Sequence, residues 1–302
     1  MKRIVLAGVV ALGGLSGPAF AADVAPVFVP PPVAPPPAPV RDLYAPSGYV
    51  ELFGEAAWNE YDDVYNPWIG FGGAGRANVW HGTNFSTQWD AAGDFVYETD
   101  EEYYWVGSLN LTGHASWRNP SSHLIGGFVT LSHMVDDGYI AMGSIAGGIE
   151  GQMYLGNLTL YGLAGWAHQL WGTYGGSCST CDPSYRMSVG FARGAARFFI
   201  GDNTKIEAGI GVISGDIEGS NYDVTALTWD AEIEHKFDMS PLSIFLAGSG
   251  HTTSDTDFGD TQRIMAGAKI HLGQDTLLQQ DRYGATLEGF DMTHMSWLRL
   301  WN

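Results

Sequence analysis

From Val224 to Phe237 the chain sets Asp230, Glu232, Glu234 and Lys236 at every second position, alternating with Thr225, Leu227, Trp229, Ala231, Ile233, His235 and Phe237. Successive side chains of an extended segment point to opposite sides, so the charges share one face and the apolar residues the other. Inside an enclosed space such charges have two uses. They pair and close it, or they line a water-filled channel whose acidic excess favours cations. The same parity argument gives Glu51, Glu55, Arg76, His114, Glu150, Glu207, Arg263 and Lys269 as further inward residues, with Gln152, Lys205 and His271 among them.

Other residue types could carry chemistry. His81, His123, His133, His235 and His251 fall near predicted strand ends, where histidine can serve as base for a neighbouring serine. Ser132 and His133 are adjacent and would face apart, which leaves His251 beside Ser249 or Ser254, and no G-x-S-x-G occurs. No catalytic residue is assigned, and the chain is read as a non-enzyme. Cys178 and Cys181 stand alone in GGSCSTCD; zinc would need two further ligands, so the expectation is a disulfide stapling one external loop. Acidic residues gather at Asp62 and Asp63, at Glu98, Asp100, Glu101 and Glu102, at Asp136 and Asp137, at Asp216, Glu218 and Asp223, and at Asp255, Asp257 and Asp260. Carboxylate oxygens suit hard divalent cations. No EF-hand spacing is present, however, and like charge that keeps loops solvated is explanation enough. No metal and no cofactor is assigned.

These groups need elements to hold them. Lys2 and Arg3, the apolar run Ile4 to Leu15 and the small residues of Ala19-Phe20-Ala21 predict a cleaved secretory leader over 1–21. Residues 22–47 are proline-rich and predict a semi-rigid extended spacer. The formal net charge of −19 argues against a nucleic-acid partner. Beyond the leader no apolar run is long enough for a membrane helix. Period-two alternation recurs instead: clean at 103–117, 204–214, 224–237 and 262–272, weaker at 48–58, 68–80, 85–97, 123–134, 139–155, 158–171, 185–200 and 242–252, where glycines or doubled apolar residues blur it.

The apolar rows often begin or end in an aromatic: Trp58, Trp105, Trp117, Tyr139, Trp171, Tyr185, Phe237. An apolar middle of about 9–11 residues with aromatic ends and a polar opposite face marks a strand that crosses lipid. Lipid tolerates no open sheet edge, so the expected fold is all-β: a closed antiparallel transmembrane β-barrel of about twelve strands, with eight to fourteen allowed, over residues 48–273. Compact turns at 118–122, 156–157, 201–203 and 238–241 fit periplasmic ends, and 59–67, 98–102, 135–138, 172–184, 215–223 and 252–260 fit external loops.

With its leader ending AFAAD, its glycine-rich alternating strands and its closing segment RIMAGAKIHLGQDTLLQQDRYGA, the chain resembles porin-like outer-membrane β-barrel proteins of Gram-negative, especially alphaproteobacterial, bacteria. That resemblance implies the cell outer membrane as location. It implies outer-membrane lipid, lipopolysaccharide and the barrel-assembly machinery as partners, with small solutes or cations as cargo. The expected role is a small passive channel or an envelope-structural barrel; the alternatives are a surface adhesion barrel using its acidic loops, or a lipid-modifying enzyme. One departure stands out. Such barrels commonly end on an aromatic residue of the last strand, whereas here Leu272 is followed by a tail, 274–302, expected to be periplasmic, to plug the lumen, or to hide further strands.

Overall fold

The computed structural model describes residues 42–61, 64–99, 104–137, 140–174, 186–217, 223–253 and 260–290. The expected leader, most of the proline-rich spacer, Cys178, Cys181 and the last residues of the tail lie outside this range.

Twelve strands form one closed antiparallel barrel. They are β1 (Ser47–Tyr61), β2 (Val64–Trp80), β3 (Phe85–Glu98), β4 (Trp105–Asn119), β5 (His123–Asp136) and β6 (Ile140–Leu155), then β7 (Leu158–Tyr174), β8 (Met187–Ile200), β9 (Thr204–Ile217), β10 (Asp223–Lys236), β11 (Leu242–Thr253) and β12 (Asp260–Leu272). Each pairs with its sequence neighbour, and β1 closes on β12 in a register running from Gly48↔Leu272 to Glu60↔Asp260. Closure gives every strand a neighbour on both sides, so the sheet has no open edge strand to present to lipid.

The alternation decides which way each side chain faces. Outward residues include Leu52 at 71% exposure and Ile149 at 72%, while Arg118 and Gln88 are almost completely buried inside. A soluble protein would not expose such a continuous apolar surface; a barrel surrounded by lipid must. Aromatics mark both margins of the outer band, with Phe85, Trp117, Phe198 and Phe237 near the turn-side ends and Trp58, Tyr97, Trp105 and Trp171 near the loop-side ends.

At the turn-side end, tight links join β2 to β3, β4 to β5, β6 to β7, β8 to β9 and β10 to β11. Gly156 and Gly201 take φ of +63 there, a backbone conformation that a side chain resists. Most loop-side connections are shorter than expected, the link between β3 and β4 excepted. The first was read as residues 59–67, yet pairing continues to Tyr61↔Val64. Ladder hydrogen bonds do not require apolar side chains, so the strands run on beyond the apolar band after their sequence turns polar. The doubled Leu170-Trp171 has a local cause: the β6–β7 register shifts between Gly143 and Ser144, where Trp171 and Gln169 are the successive partners. This β-bulge puts Leu170 and Trp171 both outside and keeps Gln169 buried.

Candidate functional site in the barrel interior

All twelve residues read as lumen-lining face inward. Glu51, Glu55, Arg76, His114, Glu150, Glu207, Asp230, Glu232, Glu234, Lys236, Arg263 and Lys269 sit on the interior parity of their strands. Arg186 apart, every described lysine and arginine is in the interior. Charge in this chain is concentrated where a soluble protein would keep hydrocarbon.

These charges pair. Lys205 lies 2.8 Å from Glu232 and 3.4 Å from Glu234, and Lys269 lies 3.2 Å from each of them and 3.6 Å from Glu51. The pattern is a product of register: Glu51↔Lys269 and Glu234↔Lys205 are direct cross-strand partners. Arg263 joins Glu55 and reaches Asp94 at 3.3 Å. His114 is held between Glu150 at 2.8 Å and Asp90 at 3.4 Å, and Asp90 also meets Arg76. Interior charges left unpaired in such surroundings would be costly, so mutual neutralisation is what permits them.

The rest of the space is filled by the tail. After Leu272 the chain turns at Gly273, whose φ of +96 and close approach to Ser47 leave no room for a Cβ. Thr276 then caps helix α1 (Leu277–Tyr283), its hydroxyl accepting from the Gln279 amide. The helix lies at the turn-side mouth. The Leu278 amide donates to the Asp202 carbonyl, Lys236 donates to the Asp275 carbonyl, and Trp80 donates to the Tyr283 carbonyl at 2.7 Å. Arg118 donates to the Gly284 carbonyl at 2.8 Å.

From Gly284 the tail runs extended within the lumen. Gln88 clamps it from both sides: its amide nitrogen donates to the Leu287 carbonyl at 2.7 Å, and its oxygen accepts from the Thr286 and Leu287 amides. Tyr161 donates to the Glu288 carbonyl, also at 2.7 Å. The Glu288 carboxylate lies 2.7 Å from Arg193 and 2.6 Å from Arg197. Leu287 is fully buried in an apolar cluster with Phe128, Leu163 and Phe191, and Phe290 stacks on Phe191 with ring centroids 3.8 Å apart. On the loop side of this segment two cavities of about 260 and 250 Å³ remain, and Arg76, Arg263, Met265, Gly289 and Phe290 line both. A second apolar cluster, with Trp68, Val96, Val106, Met134 and Met142, surrounds the lumen nearer the loops.

Sequence reasoning missed Gln88, Tyr161, Arg193 and Arg197. Parity was available, since Arg193 and Arg197 are four residues apart on one strand. The signal was lost because β8 carries apolar residues on both faces: Phe191, Ala195 and Phe199 inside, Ala192, Ala196 and Phe198 outside. The tail's Glu288 had no period to read at all. Of the serine–histidine candidates, Ser132 faces in and His133 out, while His251 is buried on the inner face.

No family model matches the chain, and no curated protein matches it by sequence. Solved structures do match. The COG4313 outer membrane channel from Pseudomonas putida F1 is similar with a TM-score of 0.56 at 11% identity, covering 78% of this chain and 99% of that one. The translocator domain of the autotransporter NalP from Neisseria meningitidis is similar at 0.53 and 11%, covering 76% and 90%. The β-domain of the Bordetella autotransporter BrkA is similar at 0.50 and 11%, covering 75% and all of that chain. The fold is that of outer-membrane β-barrels. Similarity at this identity speaks to the fold alone, and the fold is shared by a channel and by autotransporter domains. Function is therefore argued from the interior of this barrel.

Proposed function

We propose that the protein is a narrow outer-membrane channel that its own C-terminal segment holds shut. One observation carries this reading: the described part of the tail is held in the lumen by non-covalent contacts, namely hydrogen bonds, ion pairs and the packing of Leu287 and Phe290, with open cavities beside it. Such contacts can be exchanged for water or solute. At twelve strands the bore exceeds that of eight-stranded barrels, which side chains alone fill, so a segment has to be added to close it. The paired wall charges are compatible with small ions or polar solutes as cargo.

In the same reading a cleaved leader delivers the chain to the outer membrane, where lipid and lipopolysaccharide surround it and the assembly machinery inserts it. Its role is passive rather than enzymatic. Among the described residues, Ser243, His271 and Glu234 come together as a serine, a histidine and a carboxylate, and their geometry favours structure: a single histidine nitrogen, Nε2, faces both the serine at 2.8 Å and the carboxylate at 3.0 Å. A relay needs the two partners on different ring nitrogens, and Ser243 is completely buried.

A second reading, a barrel serving envelope integrity only, is favoured by the density of the interior ion-pair network. Planar-bilayer recording separates the two. A chain ending at Gly273 is expected to give discrete conductance steps, against rare or no steps from the full-length protein. Silence from both, with the β-sheet circular dichroism of a folded barrel, overturns the channel and leaves the structural reading.

A further inference from the structure

Arg193 and Arg197 are each fixed by the wall before the tail arrives. Arg193 grips Asp230 with Nε and Nη2 at 2.8 and 2.7 Å, and Arg197 Nε bonds Glu207 at 2.9 Å. Nη1 of Arg197 is taken by the tail itself, donating to Thr286 and Asp281, which leaves one corner of each guanidinium for a further side chain: Nη1 of Arg193 and Nη2 of Arg197. Those two corners converge on the two oxygens of a single carboxylate, that of Glu288. Both guanidiniums also lie over the Tyr161 ring, at 5.8 and 5.0 Å. Arg193 keeps both bonds to Asp230, and Arg197 its bond to Glu207, when the occupant leaves, and two charged donors aimed at one point select a carboxylate over a neutral group.

The seat is one end of a longer site. Two residues on, the Phe290 ring lies parallel to Phe191, at an interplanar angle of 11°, beside Leu163 and the cavity of about 260 Å³. Glu288 and Phe290 therefore present a carboxylate and a benzene ring, a short flexible link apart, to complementary walls. We propose that the lumen contains a binding site for small arylalkyl carboxylates and that the tail, through Glu288 and Phe290, occupies it as a built-in mimic. On the channel reading, on which this consequence rests, a cargo carboxylate competes with Glu288 and loosens the closure. The site itself does not depend on conduction.

A tethered competitor lowers the apparent affinity of a free ligand by the fraction of time the seat is occupied. Calorimetric titration of the full-length, detergent-folded protein with 3-phenylpropionate tests this. Weak, saturable binding is expected, tightened by about tenfold or more in E288Q, where the competing charge is gone but the side chain keeps its shape. Binding is expected to vanish in R193Q/R197Q, and 3-phenylpropanol is expected not to bind. A second measurement needs no substitution: phenylpropionate, but not phenylpropanol, should speed tryptic cleavage after Arg282, which is buried while the tail is in place. Equal binding of acid and alcohol, or no gain in E288Q with tryptic cleavage unaffected by the acid, overturns the proposal. Carboxylate binding combined with a silent truncated barrel would support the site and refute the channel; conductance without binding would do the reverse.

Discussion

Glu288 is one residue whose loss frees the plug without stripping the wall, because Arg193 and Arg197 keep Asp230 and Glu207 as partners. Burial works against its ionisation, but Arg193 and Arg197, with Arg76 and Lys205 behind them, hold its carboxyl well below the usual carboxylate range. A depressed folded-state pKa gives a contribution that is complete above the ordinary value of about 4.3 and lost as pH falls through the lower, folded one. Glu288 is thus expected to hold the plug equally well from pH 5 to pH 8 and to release it only in stronger acid. Open probability measured against pH checks this, and an opening midpoint between pH 5 and 7 would assign the lock to another group. Because Glu288 is part-exposed and both arginines stay paired, its loss removes charged hydrogen bonds worth about 1.5–3 kcal/mol. Even the lower figure would raise the open-to-closed ratio of E288Q roughly tenfold, read as single-channel open probability in the full-length variant.

Each strand has a lipid side and a lumen side, and a charge placed on one or the other has opposite consequences. Leu131 on β5 faces out, 50% exposed near the middle of the strand. Replacing it by arginine is expected to cost about 2–4 kcal/mol, the penalty for a cation near the bilayer midplane. Arginine at Ser249 on β11, which faces a lumenal cavity, is expected to cost under about 1 kcal/mol. Denaturant unfolding of the vesicle-inserted protein compares the two; equal costs would mean the faces had been misassigned. This two-sidedness is why the strands could be read from sequence. In β10 it is clean, and Asp230, Glu232, Glu234 and Lys236 stand inside as alternation requires. In β8 apolar residues occupy both faces, which hides the two arginines of the seat. In β7 the bulge at Leu170 shifts the parity, a change that follows from pairing with β6 and shows in the sequence only as the doubled apolar pair Leu170-Trp171.

For the whole molecule, closure is set by relations between distant parts of the chain. Twelve alternating segments imply a barrel whose ends must meet, and β1 on β12 follows from that count. Nothing in the sequence says that Gln88 will clamp the backbone at Leu287, or that Glu288 will find two arginines on β8, because these contacts depend on the bore the strands create. The tail was legible only as a departure, a chain continuing where such barrels commonly stop. The central claim is that this tail lies inside the lumen and closes it. A cross-link tests it most directly: a Cβ at Gly289 would lie 3.1 Å from Cβ of Thr112, close enough for a disulfide after slight adjustment. In a T112C/G289C/E288Q variant with Cys178 and Cys181 replaced by serine, oxidation is expected to join the tail to the wall, shift the folded band on a gel and silence the conductance that E288Q frees, until a reductant restores the steps. A folded barrel that never forms the cross-link, or that conducts equally when oxidised and reduced, would contradict the account.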